Sequence, residues 1–322
     1  MNLPIAIVAG EPNSISSEII FKAWKLRKKF IHKPFIIIGS VDLLKAQKKK
    51  LKYNIKIKNI GPDFNLKNFN KDELLVYNVQ FKQKKPFQNI TIRSKKYILK
   101  CFDVATNLVK NKKILGIINC PVSKEILFKK HQGVTEFLSK KAGTKGNEVM
   151  LIFNKKLAVS PLTTHIPIKE VNNKIKKSLI VKKTKIINNF YINYFNKKPN
   201  IGILGLNPHN FTKNKKDKKK AIVSAINTLK KLKINVTGPV SPDTSFLFYK
   251  KYKFNVILGM YHDQVLTPFK ALFKYNAINI TLGLPYNRVS PDHGVAKDII
   301  GKKIANPESL IRSVEFFNFI NS

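Results

Sequence analysis

The chain is short of several residue types, and each shortage narrows what it can be. Two cysteines, Cys101 and Cys120, are all that 322 residues carry. That number rules out a disulfide framework, so both are expected to be reduced and packed, within predicted elements or at their ends, in a cytosolic protein. No apolar run approaches the roughly 20 residues that a membrane span requires. The opening Met-Asn-Leu-Pro-Ile-Ala-Ile-Val-Ala-Gly has no basic n-region and no cleavage pattern, so it reads as a first core strand and not as a signal peptide. Acidic residues are scarce, 18 against 61 Lys and Arg, for a formal net charge of +43. Arginine is scarcer still, with only Arg27, Arg93, Arg288 and Arg312. Nucleic-acid readers favour the bidentate guanidinium, and the lysines here run along the whole chain instead of gathering in one arm. Abundant Asn, Ile, Phe and Lys beside little Gly and Arg point to the bias of an AT-rich genome. Nucleic acid is therefore an improbable partner, and the field should instead draw in small anionic substrates.

What is present is an alternation of apolar runs with helical patterns. Leu3 to Ala9, Phe35 to Gly39, Ile114 to Ile118, Val149 to Phe153, Leu157 to Pro161, Ile201 to Leu206 and Asn255 to Leu258 read as strands. Between them, helices are expected after Ser14 or Ser16, from Val41 to Lys50, around Ile98 to Val109, from Ile168 to Phe195, from Ala221 to Leu232, from Val295 to Ile300 and from Pro307 to Ile320. Lys56 to Ile60 and Leu74 to Asn78 are weaker strands. Such alternation predicts an α/β protein with a largely parallel sheet. No repeat and no flexible linker separates domains, and the length suits one large or two ordinary ones.

Chemistry concentrates between Gly259 and His293. This stretch holds His262, Asp263, Lys270, Asn279, Arg288 and Asp292, with Gly283, Pro285 and Pro291 turning the backbone between them. His165, His209 and His262, three of only six histidines, each stand a few residues beyond a predicted strand. If those strands are parallel in one sheet, the imidazoles gather at the carboxyl edge where α/β ligands bind. Three neutral imidazoles with an open position suit Zn²⁺ or another divalent first-row ion. Asp243 or Asp263 is expected to orient an imidazole or act as base, so these two, with Lys270, are the catalytic candidates. Lys270 and Arg288 suit phosphate or carboxylate, and Thr135 suits the start of an anion-binding helix. The alternative at each position is an ordinary loop or core residue with a local partner.

The motifs Gly133-Val134-Thr135-Glu136-Phe137, Thr164-His165-Ile166-Pro167, Gly205-Leu206-Asn207-Pro208-His209, Asp243-Thr244, Met260-Tyr261-His262-Asp263-Gln264, Asn279 to Pro285 and Asp292-His293-Gly294 together resemble the 4-hydroxythreonine-4-phosphate dehydrogenase family. The motifs follow that family's order over nearly the whole chain. The resemblance implies two α/β/α domains like those of the isocitrate and isopropylmalate dehydrogenases, residues 1–130 with 275–322 and residues 131–274, with the active site in the interdomain cleft of a homodimer. It implies oxidation and decarboxylation of a phosphorylated hydroxy amino acid with NAD and one divalent ion (Zn, Mg or Co), in pyridoxal phosphate synthesis. By motif, His165, His209 and His262 are implied as metal ligands, one arriving from the partner subunit. Thr135, Lys270, Asn279 and Arg288 are implied as substrate contacts. The chain departs from the family pattern at Val134, where a His is usual, in the loop after His209, and in the glycine-poor turn from Glu11 to Ser16. Val134 motivates an alternative substrate, a phosphorylated sugar acid such as 4-phospho-threonate or 4-phospho-erythronate.

Overall fold

The computed structural model describes residues 3–30, 33–66, 72–128, 133–208 and 219–319. The chain divides into two compact units, residues 1–130 with 286–322, and residues 131–285.

In the first unit, β1 (Ile5–Val8), β2 (Phe35–Gly39), β3 (Lys56–Ile60), β4 (Glu73–Asn78), β5 (Gly116–Asn119) and β12 (Asn287–Pro291) follow the order β3-β4-β2-β1-β5-β12. Every pairing among them is parallel. β1, β2 and β5 are buried at every position, the mark of strands covered on both faces. The helices of this unit are α1 (Ser16–Leu26), α2 (Val41–Lys50), α3 (Arg93–Lys110), the short α4 (Lys124–Leu127) and α11 (Glu308–Phe316), with α3 packed on β1, β2 and β5. The Ser40 hydroxyl caps α2 by accepting from the Leu43 N–H at 3.3 Å.

The second unit contains β6 (Val149–Phe153), β7 (Ala158–Pro161), β8 (Ile201–Leu204), β9 (Val236–Val240), β10 (Val256–Gly259) and β11 (Ile278–Leu282), in the order β11-β6-β7-β10-β8-β9. Its helices are α5 (Val134–Lys141), α6 (Ile168–Lys174), α7 (Lys177–Phe195), α8 (Lys219–Lys231), α9 (Pro242–Ser245) and α10 (His262–Phe273). Here the sheet is mixed, because β6 pairs antiparallel with both β7 and β11. The cause is local. Only four residues join β6 to β7, and the Asn154 side chain folds that link back by accepting from the Lys156 N–H at 2.9 Å. A link so short can only return antiparallel.

The α/β class is as expected, with three differences in detail. Residues 275–285 belong to the second unit, because β11 pairs with β6; the return to the first unit falls at 286 and not at 275. The helix expected from 168 to 195 is two, since Ile175 and Lys176 are extended, with ψ of 106° and 143°; Ile175 is 1% exposed and pins the break. The segment 295–300 holds only a 3-10 turn, Lys297–Ile299, preceded by Ala296 at φ 49°.

Candidate active site

β7, β10 and β8 lie side by side and parallel, so the chain leaves all three at one edge. Gly259 aligns with Pro161, and Leu258 with Ile203. The two loops after β7 and β10 are laced together: the Leu162 N–H donates to the Gly259 carbonyl at 2.7 Å, and the Thr163 hydroxyl to the Met260 carbonyl at 2.8 Å. This lacing brings His165 and His262 together, with ring centroids 6.0 Å apart. His262 opens α10 instead of standing in a loop, and faces the positive end of that helix. His209 follows β8 in sequence but lies outside the described residues.

A carboxylate stands behind each ring. Asp263 Oδ1 is 2.6 Å from His262 Nδ1, and Glu136 Oε1 is 3.7 Å from His165 Nδ1. Glu136 is held from several sides. Its carboxylate accepts from the Gly133 N–H at 2.9 Å and from the Thr164 hydroxyl at 3.2 Å. Burial opposes its charge, but the His165 imidazole and the surrounding N–H groups outweigh burial and hold its pKa down to about 2. A Cβ on Gly133 would lie 2.8 Å from Glu136 Oε2 and 3.1 Å from His165 Cε1, so this contact needs glycine. Behind the edge, Lys183 on α7 donates to the Leu162 carbonyl at 2.8 Å. Burial pulls its pKa below the ordinary lysine value, while Glu148 and Glu136 pull it back up.

Gln264 fastens the third strand end. Its side-chain oxygen accepts from the Met260 N–H at 2.6 Å, and its amide donates to the Gly205 carbonyl at 2.8 Å. The exits of β10 and β8 are thereby joined. Glu136, Lys183 and Gln264 all escaped the sequence reading. Glu136 and Gln264 stand inside the motifs Gly133 to Phe137 and Met260 to Gln264, and those motifs were the signal; nothing local marked Lys183.

Thr135 is 5% exposed in the first turn of α5, where its hydroxyl meets that of Thr281 at 3.2 Å. Gly133, not Thr135, occupies the cap position. Asn279 on β11 has its side-chain oxygen buried with no hydrogen-bond partner among the described residues. Lys270 is exposed in the last turn of α10. Asp243 is exposed on α9 and accepts from the Ser241 hydroxyl at 2.8 Å; that bond holds it locally. Arg288, on β12 of the first unit, is 2% exposed and donates from Nε to Asn119 Oδ1 at 2.8 Å. Cys101 and Cys120 are free and fully buried.

The donor set fits a divalent ion in its chemistry. Two imidazoles converge; His262 is hydrogen-bonded to the Asp263 carboxylate, the pattern by which metal-binding histidines are oriented, and His165 has the Glu136 carboxylate 3.7 Å away. Among the described residues no group of three or more His, Cys, Asp or Glu could by itself hold an ion; the third expected donor is His209.

The family model described as "Pyridoxal phosphate biosynthetic protein PdxA" matches residues 31–317. A 4-hydroxythreonine-4-phosphate dehydrogenase from Sulfurihydrogenibium sp. (strain YO3AOP1) is 37% identical over 318 residues, 97% of this chain and 96% of the relative. Its counterpart from Aquifex aeolicus is 35% identical over 321 residues, covering 98% and 97%. Among solved structures, the 4-hydroxythreonine-4-phosphate dehydrogenase of Klebsiella pneumoniae superposes with a TM-score of 0.81 at 26% identity, over 98% of each chain. No described helix is long and apolar enough to cross a membrane.

Proposed function

Because the chain belongs to the family of the pyridoxal phosphate biosynthetic protein PdxA, we propose that it oxidises 4-phosphohydroxy-L-threonine with NAD and decarboxylates the product to 3-amino-2-oxopropyl phosphate. The observation that carries this reading is the pair His165 and His262, 6.0 Å apart between ring centroids at one sheet edge. With His209 they would hold the divalent ion. Bound there, the ion supplies a Lewis acid beside the substrate's oxygens, and NAD supplies the hydride acceptor.

The chain's own residues do the rest. Asp263 takes up the Nδ1 side of His262 and leaves Nε2 as the ligating nitrogen. Glu136, 3.7 Å from His165 Nδ1, acts on that ring by its charge, which the surrounding donors stabilise. Lys270 and Arg288 bind the phosphate and carboxylate of the substrate. Thr135 donates from the start of α5. The bare acceptor of Asn279 suits a donor on the substrate, its ammonium or hydroxyl. Of the catalytic candidates, Asp263 is the one this geometry favours, since Asp243 is tied to Ser241 and Lys270 stands two turns along α10.

The dinucleotide is held elsewhere than at the first strand–helix turn. There Glu11 N–H is spent on the Pro121 carbonyl at 2.9 Å, and a Cβ on Gly10 would clash with that same carbonyl. A turn closed on its neighbour leaves no cradle for a pyrophosphate. The active form is read as a homodimer sharing its site. A second substrate reading, 4-phospho-threonate or 4-phospho-erythronate, is favoured by Val134, which is 7% exposed and offers no polar contact.

NADH formation from 4-phosphohydroxy-L-threonine, with added Zn²⁺, Mg²⁺ or Co²⁺ and then with a chelator, tests the proposal. Turnover that the chelator abolishes supports it; no turnover with any ion overturns it. A larger kcat/KM on 4-phospho-threonate would select the second reading, and light scattering of the active fraction reports the dimer.

A further inference from the structure

Among the described residues, the buried phenol oxygen of Tyr286 has no hydrogen-bond partner. Tyr286 immediately precedes β12, and Arg288 lies two residues on, where strand alternation returns side chains to the same face. Ser290 continues that row and is 6% exposed. The register Arg288 with Ile117 sets Asn119 beside the same face. Asn119 is itself anchored, donating to the Cys120 carbonyl at 3.2 Å while it accepts from Arg288 Nε. The guanidinium is therefore held in a fixed pose within a buried polar row. Burial drives the phenol pKa up to about 12, and the nearby Arg288 charge partly offsets that rise.

The chemistry of the phenol, beside Arg288, selects its partner. A phenol that stays protonated has one proton to donate. A guanidinium has five donors and no acceptor, so it cannot receive that proton. What both groups can share is an oxyanion drawn in by Arg288. An unsatisfied buried hydroxyl costs stability, and such a cost persists at functional sites where a ligand relieves it. We propose that the Tyr286 hydroxyl donates a hydrogen bond to the same substrate oxyanion that Arg288 binds, and so helps to set affinity for that end of the substrate. This rests on the reading of Arg288 as a substrate contact.

Tyr286→Phe tests the inference, because the ring is kept and only the hydroxyl leaves. For 4-phosphohydroxy-L-threonine, KM should rise about tenfold, with a smaller effect on kcat, as for a lost hydrogen bond to a charged group. In ligand-free buffer the variant's Tm should stay level or rise by about 1–2 °C, since an unsatisfied group has been removed. Inorganic phosphate and acetate, titrated separately against thermal stability, tell which oxyanion is held; the stabilisation by one of them should shrink in the variant. An unchanged KM overturns the inference, as does a lower ligand-free Tm, which would make the hydroxyl structural. If the wild type turns over no phosphorylated substrate, the proposed reaction fails, while the anion titrations still decide the role of Tyr286.

Discussion

Asp263 and His262 are neighbours in the chain, yet their side chains meet at 2.6 Å because both lie in the first turn of α10. Asp263 is 79% exposed in its side chain, so it contributes little to folding by contact. Its proposed work is to fix a tautomer. Asp263→Asn is expected to weaken the divalent ion about 10- to 100-fold, read from the metal dependence of turnover, while the unfolding midpoint stays put. Equal metal affinity in variant and wild type would remove Asp263 from the site. The cysteines give the opposite case. Burial pushes the Cys101 thiol up to about 12 and raises Cys120 as well. Because the thiolate is the reactive form, both should resist a thiol reagent at pH 8 in the native protein and react only in denaturant. Rapid labelling of either in the native state would contradict the burial described here. The type of each of these residues was legible in the sequence; its distance to a partner was not. His165 and Glu136 are 29 residues apart in the chain, and only the folded edge brings them together.

Among the elements, those built from apolar runs were the easiest to read. β1, β2, β6, β7, β8 and β10 announce themselves because a strand covered on both faces needs unbroken apolar residues. β11 and β12 did not, since Asn279, Thr281, Arg288 and Ser290 interrupt them with polar groups. Those are functional candidates or line buried polar rows, and such polar groups break the apolar pattern by which a strand is read. α10 was hidden in the same way, with His262, Asp263 and Gln264 at its start and Pro268 within it. The break at Ile175 has neither Gly nor Pro to mark it. Gln264 is the residue by which these elements act together, for it binds the exits of β10 and β8 at once. Gln264→Ala leaves the Met260 N–H and the Gly205 carbonyl without their partner. A loss of about 1–3 kcal/mol in unfolding free energy is expected, together with roughly tenfold weaker metal binding as His262 drifts from the β8 exit. If denaturant titration shows the loss but metal affinity holds, the bond is structural only.

At the scale of the whole molecule the formal charge of +43 demands a consequence. Lysines dominate it and cover the chain from end to end. Acidic partners cannot neutralise this charge, since 18 Asp and Glu face 61 Lys and Arg; Lys22 with Glu18 and Lys113 with Asp63 are two of the pairs that form. A field of one sign spread over the surface raises the encounter rate of an anion without shaping any contact. The substrate proposed here carries phosphate and carboxylate, so it should feel that field. Screening then separates steering from binding: the Debye length falls from about 10 Å at 0.1 M salt to about 3 Å at 1 M. Raising an inert salt from roughly 0.05 to 0.5 M should lower kcat/KM about three- to tenfold, and should leave kcat at saturation nearly unchanged. The same titration disposes of the other use of positive charge. With only four arginines and no basic arm, duplex nucleic acid should be released well below physiological salt, where a true binder retains it. A kcat/KM insensitive to salt would mean that the lysines have no part in catalysis and that their number reflects the composition of the genome alone.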